Sequence, residues 1–140
     1  MLSYFLLFQE FAPTILRVVL GAAFIVHGYP KLFTPFFSGF AGWLESIGFK
    51  PGKFWALVVG VVEFFGGIAL ILGIFTQLAA ALIAVNMLVA MAKVKWGKVK
   101  FVETEKSGWE LDLIYFAVAV SILLTGPGAW AIGDLLLVGY

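Results

Sequence analysis

Cysteine is absent from the 140 residues, histidine occurs once, and only 12 % of the chain is charged. Without a thiol there is no disulfide, iron–sulfur cluster, zinc–thiolate site or sulfur relay of the chain's own, so any sulfur or metal redox step falls to a partner or a bound cofactor. With His27 alone, a haem cannot be clamped from both faces, and only a single axial bond to a haem or pigment stays open. A formal net charge of +1 supplies no basic field for nucleic acid. A nucleophile beside a base, an HExxH helix, a phosphate loop and a dinucleotide fingerprint are missing too, which leaves a catalyst acting alone little to work with. The opening residues MLSYFLLFQEFAPT lack the basic flank and small-residue cleavage site of a signal peptide, so the chain reads as mature throughout.

What fills the chain instead is apolar. Hydrophobic residues make up 63 % of it and the mean hydropathy is +1.08, against roughly 45–50 % apolar residues in soluble domains. That composition belongs in a bilayer. A spanning helix needs roughly 20 mostly apolar residues, and four such runs are present, from about Thr14 to Phe33, Phe54 to Ile74, Gln77 to Lys95 and Trp109 to Thr125. The expectation is therefore all-α: a polytopic membrane protein, one four-transmembrane-helix bundle over residues 1–140, with no room for a soluble domain. Between the first two runs lies TPFFSGFAGWLESIG, where Thr34 is a good N-cap, Pro35 suits the first helical position, and Phe36, Phe40, Trp43, Leu44 and Ile47 recur at helical spacing. This pattern suits a short interfacial helix with its aromatic face in lipid. After the GPG stop at 126–128, AWAIGDLLLVGY reads as a second interfacial or re-entrant piece.

Charge placement sets the orientation. Of nine basic residues, Lys31, Lys50 and Lys53 flank the first connection and Lys93, Lys95, Lys98, Lys100 and Lys106 the third. Only Arg17 lies toward the other side. The positive-inside rule then places the lysine-rich loops in the cytoplasm and both termini outside.

The polar residues inside the runs fall into stripes. Arg17, Gly21, Phe24, Gly28 and Lys31 share one face of the first run, with His27 beside it, and Ala56, Gly60, Glu63, Gly67 and Leu70 share one face of the second. Small residues one turn either side of an acid let another helix pack close, so Glu63 should face the bundle interior. The third stripe is Ala79, Ile83, Asn86, Ala90 and Lys93; the fourth is Glu110, Ile114, Ala117 and Ser121. Four such stripes imply a shared polar interior. Intramembrane charges cost at least ~2.5–3.5 kcal/mol on insertion scales, so they are generally paired and often functional.

Taken in order, LR then HGYPKLF, EFFGGIALILGIFTQLAA, an early acid in the fourth run and GPGAWAIGD resemble the DoxX family of small four-helix membrane proteins over roughly Ile15 to Leu135. The resemblance implies a small subunit of a quinone-linked, sulfur-oxidising or oxidative-stress oxidoreductase complex, with Arg17, His27, Lys31, Glu63, Glu110 and Asp134 as the positions that matter. A quinone is then the cofactor to expect. Partners would be the lipid bilayer and other membrane subunits or a second copy, but not nucleic acid.

Each residue also has a plainer reading. His27 either hydrogen-bonds a backbone carbonyl loosened by Pro30, or donates to a quinone carbonyl and relays protons. Glu63 is either half of a structural pair with Arg17, His27, Lys31 or Asn86, or a proton site beside a redox ligand. Glu110 fits a capping box in SGWE, and Asp112 favours the same helix start; either acid can meet Lys93 or Lys31. Arg17 and Asp134 should pair and tie the C-terminal segment down. The ligand or proton site is therefore drawn from His27, Lys31, Glu63, Asn86, Glu110 and Asp112, without a metal. Against it stands an accessory or assembly subunit whose polar cluster only sets helix register.

Overall fold

A computed structural model of the chain describes residues 2–105 and 107–133. Among them every regular element is helical: α1 (Leu2–Leu6), α2 (Phe11–Phe33), α3 (Phe36–Ser46), α4 (Gly52–Leu72), α5 (Thr76–Val89), which continues as a π-helical turn (Ala90–Lys95), and α6 (Trp109–Thr125). Three stretches, Phe11–Phe33, Gly52–Leu72 and Thr76–Lys95, are long and apolar enough to cross a membrane. α6 occupies the limits that the hydropathy sets and has 17 residues.

The boundaries elsewhere shift by one to three residues, for local reasons. α2 starts at Phe11 and takes Pro13 into its first turn, where a missing N–H costs nothing. α4 starts at Gly52, whose N–H donates to Glu45 Oε2 of α3 at 3.0 Å. It stops at Gly73, a left-handed C-cap with φ 70°, as Ile74 N donates back to Ala69 O. Thr34 joins α2 to α3: its hydroxyl donates to Pro30 O at 2.7 Å and accepts from Phe36 N at 3.2 Å.

α2, α4, α5 and α6 close a ring in that order, so α4 and α6 take opposite corners. α2 and α4 make the tightest seam, because the small residues of their stripes meet. A methyl group added at Gly21 would stand 2.5 Å from Gly67 O, and one at Gly67 would stand 2.6 Å from Gly21 O. Two backbones in such contact have no side chain to yield. Gly67→Ala should therefore cost ~1–3 kcal/mol and lower the thermal midpoint in detergent, whereas Gly42→Ala, with open space around it on α3, should leave the midpoint unchanged.

The core fills the ring with Leu20, Phe24, Leu70, Ala80, Ile83, Met87, Ala119 and Ile122. The inward face of α6 is Asp112, Ala119 and Ile122, and this corrects the expected stripe: Ile114, Ala117 and Ser121 are exposed. Apolar residues suit lipid as well as core, so hydrophobicity does not by itself mark the packed side.

Candidate functional site

A cleft of ≈ 470 Å³ opens at the lysine-rich end of the ring, reached by side chains from α2, α3, α4, α5, the π-helical turn and α6. Its walls are mostly apolar and aromatic, with Phe40, Trp43, Phe49 and Trp55 on the α3–α4 side, and its polar lining consists of His27, Lys31, Glu63, Asn86, Lys95, Ser107, Asp112 and Tyr115.

The first polar cluster spans three helices. Lys31 Nζ lies 2.7 Å from Glu63 Oε1 and 2.6 Å from Oε2, and Asn86 Nδ2 donates to Oε1 at 3.1 Å. The carboxylate side chain is 4 % exposed and the lysine 18 %. Lys31 also stands over the ring of Phe40, 5.1 Å from its centroid, which places α3 against the pair by a cation–π contact. Gly60 and Gly67 leave room for this arrangement, since they let α2 approach α4 one turn on each side of Glu63.

The second cluster lies across the ring. Lys95 Nζ sits 2.9 Å from Asp112 Oδ2, in charge contact but out of hydrogen-bond alignment, and donates to Ser107 Oγ and Gly108 O at 3.3 Å each. Here the expectation that an acid of α6 would meet Lys93 or Lys31 is corrected. The π-helical turn closes i→i+5 bonds, as Trp96 N donating to Met91 O shows. Each such turn holds an extra residue, so it retards the register of an uninterrupted α-helix. Lys93 rotates out and is exposed, while Lys95 swings into the cleft.

Glu110 is not among the residues lining the cleft. The expected capping box is also replaced: Gly108 is the N-cap without a side-chain bond, and Ser107 is taken by Lys95. Two amides at the start of α6, Trp109 N and Glu110 N, donate instead to Lys100 O and Phe101 O, so no cap side chain is needed. His27 lines the cleft and packs against Phe24 and Tyr115, with centroids 6.3 and 6.1 Å away, and makes no hydrogen bond to the carbonyls near Pro30. Tyr115 is a lining residue that sequence reasoning missed. A tyrosine in an apolar run gives no signal apart from its neighbours.

At the other end of the bundle Arg17 is 1 % exposed. Its guanidinium donates to the last-turn carbonyls of α4, Leu70 O at 2.9 Å and Ile71 O at 2.5 Å, and to Pro127 O, Ala129 O and Trp130 O at 2.8, 3.2 and 2.9 Å. Thr14 Oγ1 donates to Ala129 O at 2.6 Å, and Gly133 N donates to Gly73 O at 3.1 Å. The segment after α6 is thus tied to α2 and α4 through backbone carbonyls. Asp134 and Lys106 lie outside the described residues.

The DoxX family model matches residues 12–96, a range that holds Arg17, His27, Lys31, Glu63, Asn86 and Lys95 and ends before Asp112 and Tyr115. An uncharacterized protein of Haemophilus influenzae is 35 % identical over 120 residues, 85 % of this chain and 86 % of its own length. A Bacillus subtilis protein named "Putative oxidoreductase CatD" is 30 % identical over 120 residues, 84 % of this chain and 81 % of its own. An uncharacterized membrane protein of Mycobacterium tuberculosis is 29 % identical over 144 residues, 91 % of this chain and 83 % of its own. No solved structure matches.

Proposed function

The chain belongs to the DoxX family, and from that membership and the geometry of the cleft we propose that it is a small integral subunit of a quinone-linked redox assembly. A quinone-like amphipathic ring occupies the cleft, among His27, Lys31, Glu63, Asn86 and Asp112. The observation that carries this reading is the cleft itself: ≈ 470 Å³ of mostly apolar, aromatic-walled space with two lysine–carboxylate pairs on opposite sides. Small-molecule sites have this form, typically ~300–1,000 Å³ with a few convergent polar groups. The residues fit a quinone: Trp43 and Trp55 offer ring faces, and the lining includes donors for carbonyl oxygens. When bound, a quinone supplies two-electron, two-proton chemistry. The chain's own groups hold and orient the ring and exchange protons at its edge. The name of the Bacillus subtilis relative, "Putative oxidoreductase CatD", points in the same direction.

In this reading residues 1–140 form one membrane domain. α6 serves as the fourth span, and α3 lies in the interface with Phe36 exposed toward lipid, while Phe40, Leu44 and Ile47 of the expected aromatic face pack inward beside Ala41 and Ala56 and Trp43 turns to the cleft. The cleft opens to the cytoplasm, both termini lie outside, and bilayer and partner subunits surround the bundle. Sulfur chemistry, if the assembly performs it, belongs to a partner, since the chain has no cysteine.

One observation favours a second reading. The Lys31–Glu63–Asn86 network satisfies itself, as a purely structural cluster in an accessory or assembly subunit would. Tryptophan emission separates the two. Under the first reading, decylubiquinone titrated into the protein in nanodiscs quenches emission saturably, Trp55→Phe removes part of that amplitude, and organic extraction of the freshly purified protein yields a quinone by mass spectrometry. Unsaturable quenching together with an empty extract would leave the accessory role.

A further inference from the structure

We infer that the polar contacts to the cleft's ligand are made by Tyr115 together with His27, and that the ligand is a neutral ring bearing a carbonyl acceptor, not an acid. This rests on the reading of the cleft as a ligand site.

The charged groups of the cleft are already paired in charge, although Asp112 Oδ2 is held by the ion contact to Lys95 alone. Lys31 reaches both oxygens of Glu63 and the face of Phe40, Asn86 takes a further place on Glu63, and Lys95 divides its ammonium among Asp112, Ser107 and Gly108. A ligand binding there must part opposite charges in a partly dry wall, and one hydrogen bond returns less than that costs.

His27 and Tyr115 differ. Both side chains line the cleft, yet neither the imidazole nor the phenol hydroxyl has a hydrogen-bond partner among the described residues. Their rings meet edge to face at 6.1 Å, and Tyr115 packs in the same manner on the buried ring of Phe24 at 5.3 Å. Packing on Phe24 thus holds Tyr115, and the more exposed His27 ring stands edge-on beside it, while the polar atoms of both stay available. A phenol O–H donates to a carbonyl oxygen, and an imidazole beside it donates or accepts. Pre-placed, unengaged groups are the ones that bind without first breaking something.

Charge balance sets the class. Lys31 and Lys95 stand against Glu63 and Asp112 in the same cleft, leaving no uncompensated lysine among the described lining residues to receive a carboxylate or phosphate head. A neutral carbonyl-bearing ring needs no counter-charge and matches the aromatic walls.

The test uses the full chain in nanodiscs of neutral lipid, with menadione as the probe and tryptophan emission as the readout. Because the chain lacks cysteine, the probe forms no thiol adduct. Tyr115→Phe and His27→Phe each keep a ring in place. Each should weaken menadione binding about tenfold, as losing one hydrogen bond of ~1.4 kcal/mol does, with thermal midpoints near the native one. Decanoate should fail to displace the probe. Native affinity in both variants would overturn the assignment of the contacts, and displacement by decanoate would overturn the neutral class. If the native chain shows no saturable menadione binding, this inference and the ligand-site reading fall together; native binding with unaffected variants removes the inference alone.

Discussion

Replacing Arg17 with methionine is expected to destabilise the protein by ~3–5 kcal/mol, because it strips a donor from five buried or half-buried carbonyls at once. The guanidinium sits at the junction of two things that need it. Leu70 O and Ile71 O belong to the last turn of α4, where carbonyls lack the regular i→i+4 donors, Leu70 O taking only the cap N–H of Gly73 beside Arg17, and the helix dipole favours a cation. Pro127 O, Ala129 O and Trp130 O belong to the segment that returns across the bundle after α6. In a bilayer no water is at hand to replace the lost donors. Arg17→Met should thus lower the thermal midpoint in detergent and make the backbone near residues 126–133 the first site of limited proteolysis. Arg17→Lys is the graded control. An ammonium has three donors where the guanidinium has five, so it should recover part of the stability and part of the protection. A methionine variant as resistant to protease as the native chain would show that the carbonyl cluster does not hold this segment.

How far the sequence discloses this architecture depends on the signal each feature leaves. Apolar runs leave a strong one, and α6 lies where hydropathy puts it. Glu63 was legible because glycines flank it one turn away on each side, a pattern that only close helix packing explains, and the structure buries Ala56, Gly60, Glu63, Gly67 and Leu70 together. The face of α6 was not legible. Glu110 and Asp112 stand two residues apart on different faces of a helix whose apolar residues suit lipid and core alike, so the choice between them rests on what α5 presents. What α5 presents depends in turn on the π-helical turn at Ala90–Lys95, which exchanges Lys93 for Lys95 and has no compositional mark. Arg17 shows a different limit. The expected carboxylate partner, Asp134, lies outside the described residues, whereas the carbonyls that Arg17 reaches are not written in side chains and become visible only when the chain has folded over them.

The Lys31–Glu63 pair permits the sharpest separation of pairing from packing. Glu63→Leu leaves an ammonium in the cleft wall without its counter-charge, and breaking a buried pair in this way typically costs ~3–5 kcal/mol. Lys31→Met does the same to a carboxylate that is 4 % exposed, and Asn86 alone, holding one oxygen at 3.1 Å, does not neutralise it. The double variant Lys31→Met/Glu63→Leu removes both charges and refills similar volume with apolar groups. Such replacements are often neutral or stabilising, so the double variant should return close to the native thermal midpoint and give a coupling energy of several kcal/mol in the cycle. If the double variant falls as far as the sum of the singles, the two residues do not act as a pair. Recovery carries a functional consequence: stability is then independent of the charges, and the double variant becomes a folded bundle in which to ask whether proton exchange in the cleft needs them. In it Tyr115 and His27 keep their packing on Phe24, so, on the proposed ligand reading, menadione binding should persist.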